Sequence, residues 1–214
     1  MKYKVILFDQ DGTLADTLHL IAHAIKAALK TNAGLEMDLP EIVSHFGPSE
    51  EGVLRTLLPH QHKEAFDTYL QVYEDLHDSI SPTPFDGVRD LLESLQERDI
   101  PMGLITGKSG PATQITLQKF ALLDYFNRIE TGSPEGSIKR EALKRMQTYF
   151  GVTAQECLYI GDEASDVRIC QEAGVPIASA AWASTAHPDI LESINPGMVF
   201  HRIQDLQTWL LEHT

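Results

Sequence analysis

Val5-Ile6-Leu7-Phe8-Asp9-Gln10-Asp11-Gly12-Thr13-Leu14 is the stretch around which the rest of the chain is organised. Val5 to Phe8 are apolar, and three of the four are β-branched or aromatic, which reads as a buried strand. Two carboxylates one residue apart follow at once. In an extended backbone the period of two puts Asp9 and Asp11 on the same side. Like charges that close raise each other's cost of ionisation, and a divalent cation is the compensation such a pair calls for. Gly12 lets the chain turn sharply or approach a ligand closely. The plainer reading of the same residues is a strand running into a solvated Asp-Gly turn.

Read whole, Phe8-Asp9-Gln10-Asp11-Gly12-Thr13-Leu14 resembles the D-x-D-G-T-L signature of the haloacid dehalogenase-like superfamily of phosphatases. The resemblance implies an aspartate nucleophile, Asp9, and a second aspartate, Asp11, acting as acid and base.

A chain of 214 residues can bury a full core, and allows one large domain or one domain carrying an insertion. Its 43% hydrophobic and 22% charged fractions are ordinary for a soluble globular protein. A formal net charge of −14 without a basic cluster makes nucleic acid and anionic membranes poor partners. An anionic substrate would then need positive potential supplied locally, by a metal, backbone N–H groups or a lysine. Met1-Lys2-Tyr3-Lys4 leads into only four apolar residues before Asp9, too few for the apolar region of a signal peptide. No apolar run approaches a transmembrane length. Cys157 and Cys170, the two cysteines, are expected as buried free thiols of a cytoplasmic protein. Oligomeric state leaves no trace in the sequence.

Beyond Leu14 the pattern turns helical. Leu18, Ile21, Ala22, Ile25, Ala28 and Leu29 recur at three- and four-residue spacing, and Asn32-Ala33-Gly34 ends the run. Asp38-Leu39-Pro40-Glu41 offers a second helix start, Ser49-Glu50-Glu51 a third, and His62 to Ile80 a long fourth helix. Ser81-Pro82-Thr83-Pro84-Phe85-Asp86-Gly87 is the clearest linker. After it, apolar runs at 102–106, 128–130, 157–160, 176–178 and 198–200 alternate with helical faces at 88–95, 112–120, 139–150, 166–173 and 203–211. Alternation of this kind argues a parallel sheet covered on both faces. The expected fold is therefore α/β, a Rossmann-like doubly wound parallel sheet interrupted by a helical cap. The core is assigned to residues 1–15 and 82–214, the cap to residues 16–81. Ligands of such sheets bind beyond the carboxyl ends of the strands, and Asp9, Thr106 and Asp162 sit at three of those ends.

Gly161-Asp162-Glu163-Ala164-Ser165-Asp166 follows a strand. If a helix has begun by Asp162, the four-residue spacing stacks Asp162 and Asp166 on one face. They also read as first-turn acids facing a helix dipole. The string matches the G-D-x-x-x-D motif of the same superfamily, which implies Asp162 as a Mg²⁺ ligand and Asp166 as a ligand or a support behind it. Asp9 and the backbone carbonyl of Asp11 would complete the protein's share of an octahedral site. Glu163 stays unassigned. Leu104-Ile105-Thr106-Gly107 ends another strand, and beside these motifs Thr106 matches the superfamily's phosphate-binding hydroxyl, with the Gly107 N–H as a second donor. The neighbouring Lys108 reads as a solvated charge. Many relatives carry Lys-Pro ahead of the metal-binding strand. This chain has Ile138-Lys139-Arg140 instead, so Lys139 is the candidate phosphate-site lysine and Arg140 its rival. His45, His60 and His62 read as surface or capping histidines, and Trp182 as packing.

The four motifs stand in the superfamily's order. A helical insertion after the first is similar to the cap of the phosphoglycolate phosphatase-like and β-phosphoglucomutase-like branch. What this implies is a magnesium-dependent phosphatase acting on a small phosphorylated metabolite through an aspartyl-phosphate. A phosphomutase, or a binding protein on a retired enzyme fold, are the alternatives. Dehalogenases of the superfamily generally lack the second aspartate, so Asp11 argues against them. The Gly47-Pro48-Ser49-Glu50-Glu51 loop is the part of the cap expected to meet the leaving group.

Overall fold

The computed structural model describes residues 2–214. Six strands form one sheet: β1 (Val5–Phe8), β2 (Met102–Ile105), β3 (Arg128–Glu130), β4 (Cys157–Gly161), β5 (Ile177–Ala180) and β6 (Val199–Phe200). Their order is β3-β2-β1-β4-β5-β6 and every neighbouring pair is parallel. The expected α/β sheet is present, and its strand order, which periodicity does not supply, puts β1 in the interior. Phe8 lies level with Leu104 of β2 and Ile160 of β4. The chain first builds outward from β1 through β2 to β3, then returns to the other side of β1 with β4. Asp9 therefore leaves the sheet where the strand order reverses, the place where open α/β sheets bind ligands.

Alternation along β1 sends its side chains to two cores. Ile6 and Phe8 join Leu91 and Leu95 of α5 (Val88–Gln96) and Leu206 and Leu210 of α10 (Ile203–His213). Val5 and Leu7 join Leu143 and Met146 of α7 (Lys139–Phe150) and Val167 and Cys170 of α8 (Ala164–Ala173). A slip of one residue would exchange the two sets, so burial on both faces fixes the register and with it the direction in which Asp9 points. Cys157 and Cys170 are free and buried, as expected.

Between β1 and the proline-rich linker run α1 (Leu18–Ala33), α2 (Leu39–Val43), α3 (Glu50–Leu57) and α4 (His62–Ile80). They share a separate hydrophobic cluster. Leu20, Ile25 and Leu29 of α1 pack with Tyr69 and Tyr73 of α4, and Ile42 and Leu54 fill in from α2 and α3. Ala112 of α6 (Gly110–Lys119) joins the same cluster, which seats the four helices on the α/β part. α1 stops where Gly34 adopts φ 62°, and Asp38 caps α2 by accepting the Glu41 N–H at 2.8 Å. Among the described residues no helix is long and apolar enough to cross a membrane.

Two local expectations differ. A seven-residue helix, α9 (Pro188–Ile194), lies where periodicity showed none, because Leu191 is its only buried residue. Helix α8 starts at Ala164, so Asp162 precedes it and sits in the turn after β4. Asp162 and Asp166 do not stack on one helical face; Asp162 lies in the bend ahead of α8, and the Asp166 side chain reaches back to the Glu163 N–H in a capping box, which brings the two carboxylates together.

Candidate active site

Asp9 continues the β1 ladder by one residue, its N–H donating to the Ile160 carbonyl at 2.8 Å. Its Oδ1 accepts the Gln10 N–H at 2.7 Å, which turns Oδ2 toward Lys139 Nζ at 2.6 Å. Lys139 is the first residue of α7 and also reaches Asp166 Oδ1 at 2.6 Å. Its rival Arg140 turns away, to an exposed ion pair with Glu172. Asp162 accepts from Thr13 Oγ1 at 3.1 Å, and Asp166 Oδ2 accepts the Glu163 N–H at 3.4 Å. Asp9, Asp162 and Asp166 thus each bring a carboxylate oxygen within 4.8 Å of the other two.

The backbone is shaped to let the carboxylates meet. Gly12 has φ 75°, and a Cβ there would stand 2.1 Å from Asp162 Oδ2. Any side chain at position 12 would both strain the turn and displace Asp162. Trp182, half-buried, anchors the same loop by donating its indole N–H to the Thr13 carbonyl at 3.0 Å. Gly132 meets the opposite loop closely, since a Cβ there would lie 1.8 Å from the Gly107 carbonyl oxygen.

Burial raises the Asp9 carboxyl most of all; Lys139 offsets part of this and Asp166 adds to it, leaving it near about 7. Asp162 is pushed well above the ordinary carboxylate range by burial and by the charges of Asp9 and Asp166. Asp166 is raised by burial and partly restrained by Lys139. Burial alone would lower the Lys139 ammonium, but Asp166 and Asp9 outweigh it and hold the group charged well above its usual range. One ammonium among three buried carboxylates leaves negative charge uncompensated. A hard cation bound by oxygen fits that donor set.

Asp11 takes a different environment. Its Oδ1 accepts from the Thr17 hydroxyl and pairs with Lys108 Nζ at 2.9 Å. Lys108 is not the solvated charge expected from its loop position: its side chain is fully buried and reaches Tyr73 OH on α4 at 2.8 Å. The loop after β2 turns inward here, and Asp11 and the Tyr73 phenol together replace the water the ammonium gives up. Tyr73 OH in turn meets Thr116 Oγ1 at 2.7 Å. The ammonium stays charged: burial works against it, but Asp11 first, then Tyr73 and Glu50, raise it above its usual value.

Glu50 belongs to the loop expected to face the leaving group, yet its carboxylate is spent internally. It accepts the Ser109 N–H at 2.7 Å and the Tyr69 hydroxyl at 2.9 Å, which ties α3 and α4 to the loop after β2. Thr106 is fully buried, and its Oγ1 accepts the Lys108 N–H at 3.1 Å, which leaves the hydroxyl proton available. Gly107, Lys108, Asp9, Asp11 and Lys139 line a cavity of about 210 Å³ under α1 and α3. Glu163 lines it from an exposed position and accepts from Ser165 Oγ at 2.9 Å. His60 is exposed, His45 half-buried, and His62 meets only the Pro59 carbonyl of its own turn at 3.1 Å.

Comparison with known proteins places the same residues in a family context. The family model described as haloacid dehalogenase-like hydrolase matches residues 6–180, from β1 to the end of β5. The pyrophosphatase PpaX of Bacillus cereus is 24% identical over 208 residues, covering 96% of this chain and 95% of the relative. A haloacid dehalogenase-like family hydrolase from Streptococcus pneumoniae superposes with a TM-score of 0.77 at 23% identity, covering 98% of this chain and 99% of that one. CbbY from Rhodobacter sphaeroides, solved in complex with phosphate, gives 0.77 at 16% identity, with 95% and 96% covered. With a match running from the strand before Asp9 through Asp166, the chain belongs to the haloacid dehalogenase-like hydrolase family.

Proposed function

We propose that this hydrolase is a magnesium-dependent phosphatase that cleaves a small phosphate monoester through an aspartyl-phosphate on Asp9. The observation that carries the reading is the convergence of three buried carboxylates, Asp9, Asp162 and Asp166, beyond the carboxyl ends of β1 and β4, with Asp9 and Asp166 sharing the Lys139 ammonium. Asp9 Oδ attacks phosphorus while the bond from phosphorus to the ester oxygen breaks. Asp11 gives the departing alkoxide its proton. Asp11 then takes a proton from water as that water's oxygen bonds to phosphorus and the bond from phosphorus to Asp9 Oδ breaks, which returns the carboxylate and releases inorganic phosphate. Lys139, Thr106 and the Gly107 N–H hold the phosphoryl oxygens in line for attack. Asp9, Asp162 and the Asp11 carbonyl would hold Mg²⁺, with Asp166 fixing Lys139 behind them. Bound there, Mg²⁺ supplies positive charge that phosphoryl transfer requires. Residues 16–81 serve as the cap that covers the reaction from water.

The test is release of inorganic phosphate from an aryl phosphate by the purified protein. Activity should require Mg²⁺, and Asp162→Ala should raise the Mg²⁺ concentration for half-maximal rate by roughly tenfold or more, since removal of a supporting residue alone costs that much. Undiminished rates after chelation would take the metal out of the mechanism. Product that appears on a second sugar hydroxyl instead of as free phosphate would identify a mutase.

Lys139→Ala should lower kcat/KM by roughly 10²-fold, the loss seen when one donor to a developing anion is removed. Arg140→Ala, which breaks only the surface pair with Glu172, should change it less than about twofold. Lys139→Arg should restore only part, because a longer planar fork cannot meet Asp9 and Asp166 from the same point. Loss in Arg140→Ala without loss in Lys139→Ala would reverse the assignment.

A further inference from the structure

The side of the cavity supplied by residues 16–81 is mostly apolar. Leu18 and Ile21 of α1, Phe46 and Pro48 of the loop after α2 and Val53 of α3 form it, with Glu50 as its one charged residue. No lysine, arginine or histidine of residues 16–81 lines this cavity. Arg55, one turn beyond the start of α3, points outward to Glu135 and the Pro134 carbonyl. Asp9, Asp11, Glu50 and Glu163 contribute four carboxylates to the lining, against two ammonium groups, Lys108 and Lys139. Both ammonium groups are already paired, Lys108 with Asp11 at 2.9 Å and Lys139 with Asp9 and Asp166 at 2.6 Å.

We infer that the leaving group of the natural substrate is an uncharged, largely apolar alcohol, bound against Leu18, Ile21, Phe46 and Val53. The inference rests on the phosphatase reading of the same site and adds the class of ester it takes. A second anion on the leaving side, whether the far phosphate of pyrophosphate or the carboxylate of phosphoglycolate, would be desolvated with no cation to meet it and with Glu50 and Glu163 on the same cavity wall. An apolar group in that position loses nothing by leaving water and gains the contact. The space continues past Leu18 and Phe46. These two residues and Glu163 also border a larger cleft of about 910 Å³ between α1 and α2 on one side and α9 on the other, where His19 and His187 stand among the apolar lining. Val43 and Ile190, each 46% exposed, lie in its walls. An alcohol larger than glycolate is therefore accommodated without displacing the cap.

Initial rates with Mg²⁺ on 2-phenylethyl phosphate, phosphoglycolate and pyrophosphate test the inference. The phenylethyl ester has an unactivated alkyl leaving group, so a preference for it reflects binding and not leaving-group chemistry. Its kcat/KM should exceed that of each anionic substrate at least tenfold. Phe46→Ala should reduce the preference by lowering kcat/KM for the phenylethyl ester alone. Leu18→Lys should invert it by raising the rate on phosphoglycolate, with thermal unfolding as the check on the fold. Equal or faster turnover of phosphoglycolate or pyrophosphate by the wild type overturns the inference and leaves the phosphatase reading standing. No turnover of any of the three, nor of an aryl phosphate, overturns both.

Discussion

Asp9→Asn is expected to abolish turnover, by roughly 10⁵-fold or more as for removal of other covalent nucleophiles, while leaving the fold intact. An amide is a poor nucleophile, and the one ion pair it would break, to Lys139, leaves that ammonium still bound to Asp166. Turnover within tenfold of wild type, in protein free of deamidated product, would exclude Asp9 as nucleophile. The same variant reports on the electrostatics of the metal-free site. The carboxyl of Asp9 is raised by burial to about 7, above its ordinary 3.8, so the folded state holds a proton the unfolded state has released. That contribution to stability is complete at low pH and is lost as pH rises through the folded value. In chelator, the Tm of wild type relative to Asp9→Asn should therefore fall between pH 5 and pH 8. Added Mg²⁺ should recover more of it at pH 8, where the carboxylate is already ionised. An identical Tm difference at both pH values would remove the raised carboxyl from the account.

Asp11→Asn is expected to slow the reaction by roughly 10²–10⁴-fold, the range for loss of a general acid and base. Aryl phosphates should suffer less than alkyl phosphates in the first half, because a phenolate needs little protonation. An equal penalty for the two, with phosphoryl transfer limiting, would count against the acid role. Lys108 and Thr17 both contact Asp11 Oδ1, so the orientation of that carboxyl depends on a side chain from the loop after β2 and one from the residue preceding α1. Lys108→Met should accordingly lower kcat on alkyl phosphates and add little to the loss already present in Asp11→Asn, the non-additivity of residues acting through one another. Full additivity would separate Lys108 from Asp11.

Much of this protein follows from local pattern. Four buried residues ahead of Asp9, the period-two alternation of Val5–Phe8 and the helical spacing of Leu18 to Leu29 are properties of neighbouring residues. They determine a strand, its two faces and an amphipathic helix without reference to the rest of the chain. The acids at 9, 11, 162 and 166 became candidates through the resemblance of their two motifs to those of the superfamily, since spacing alone equally allows a solvated Asp-Gly turn and first-turn helix acids. Helix α9, with one buried residue, carried no such signal.

What the chain order could not decide is which distant groups share one desolvated space. Local pattern does not choose between Lys139 and Arg140, adjacent cations at the start of α7; their azimuth does, and the packing of Ala142, Leu143 and Met146 with Val5, Leu7, Cys157 and Tyr159 sets that azimuth. Lys108 looks like any loop lysine until α4 brings Tyr73, 35 residues away in sequence, over it. Glu50 looks like an exposed first-turn acid until the Tyr69 hydroxyl and the Ser109 N–H close on its two oxygens. Burial converts each of these charges from a solvated group of little consequence into one that must be paired. Pairing is a property of three-dimensional neighbours, so the partners of Lys108 and Glu50 were decided only when the helical block packed over the end of the sheet, and those of Lys139 when α7 packed beside β1 and β4.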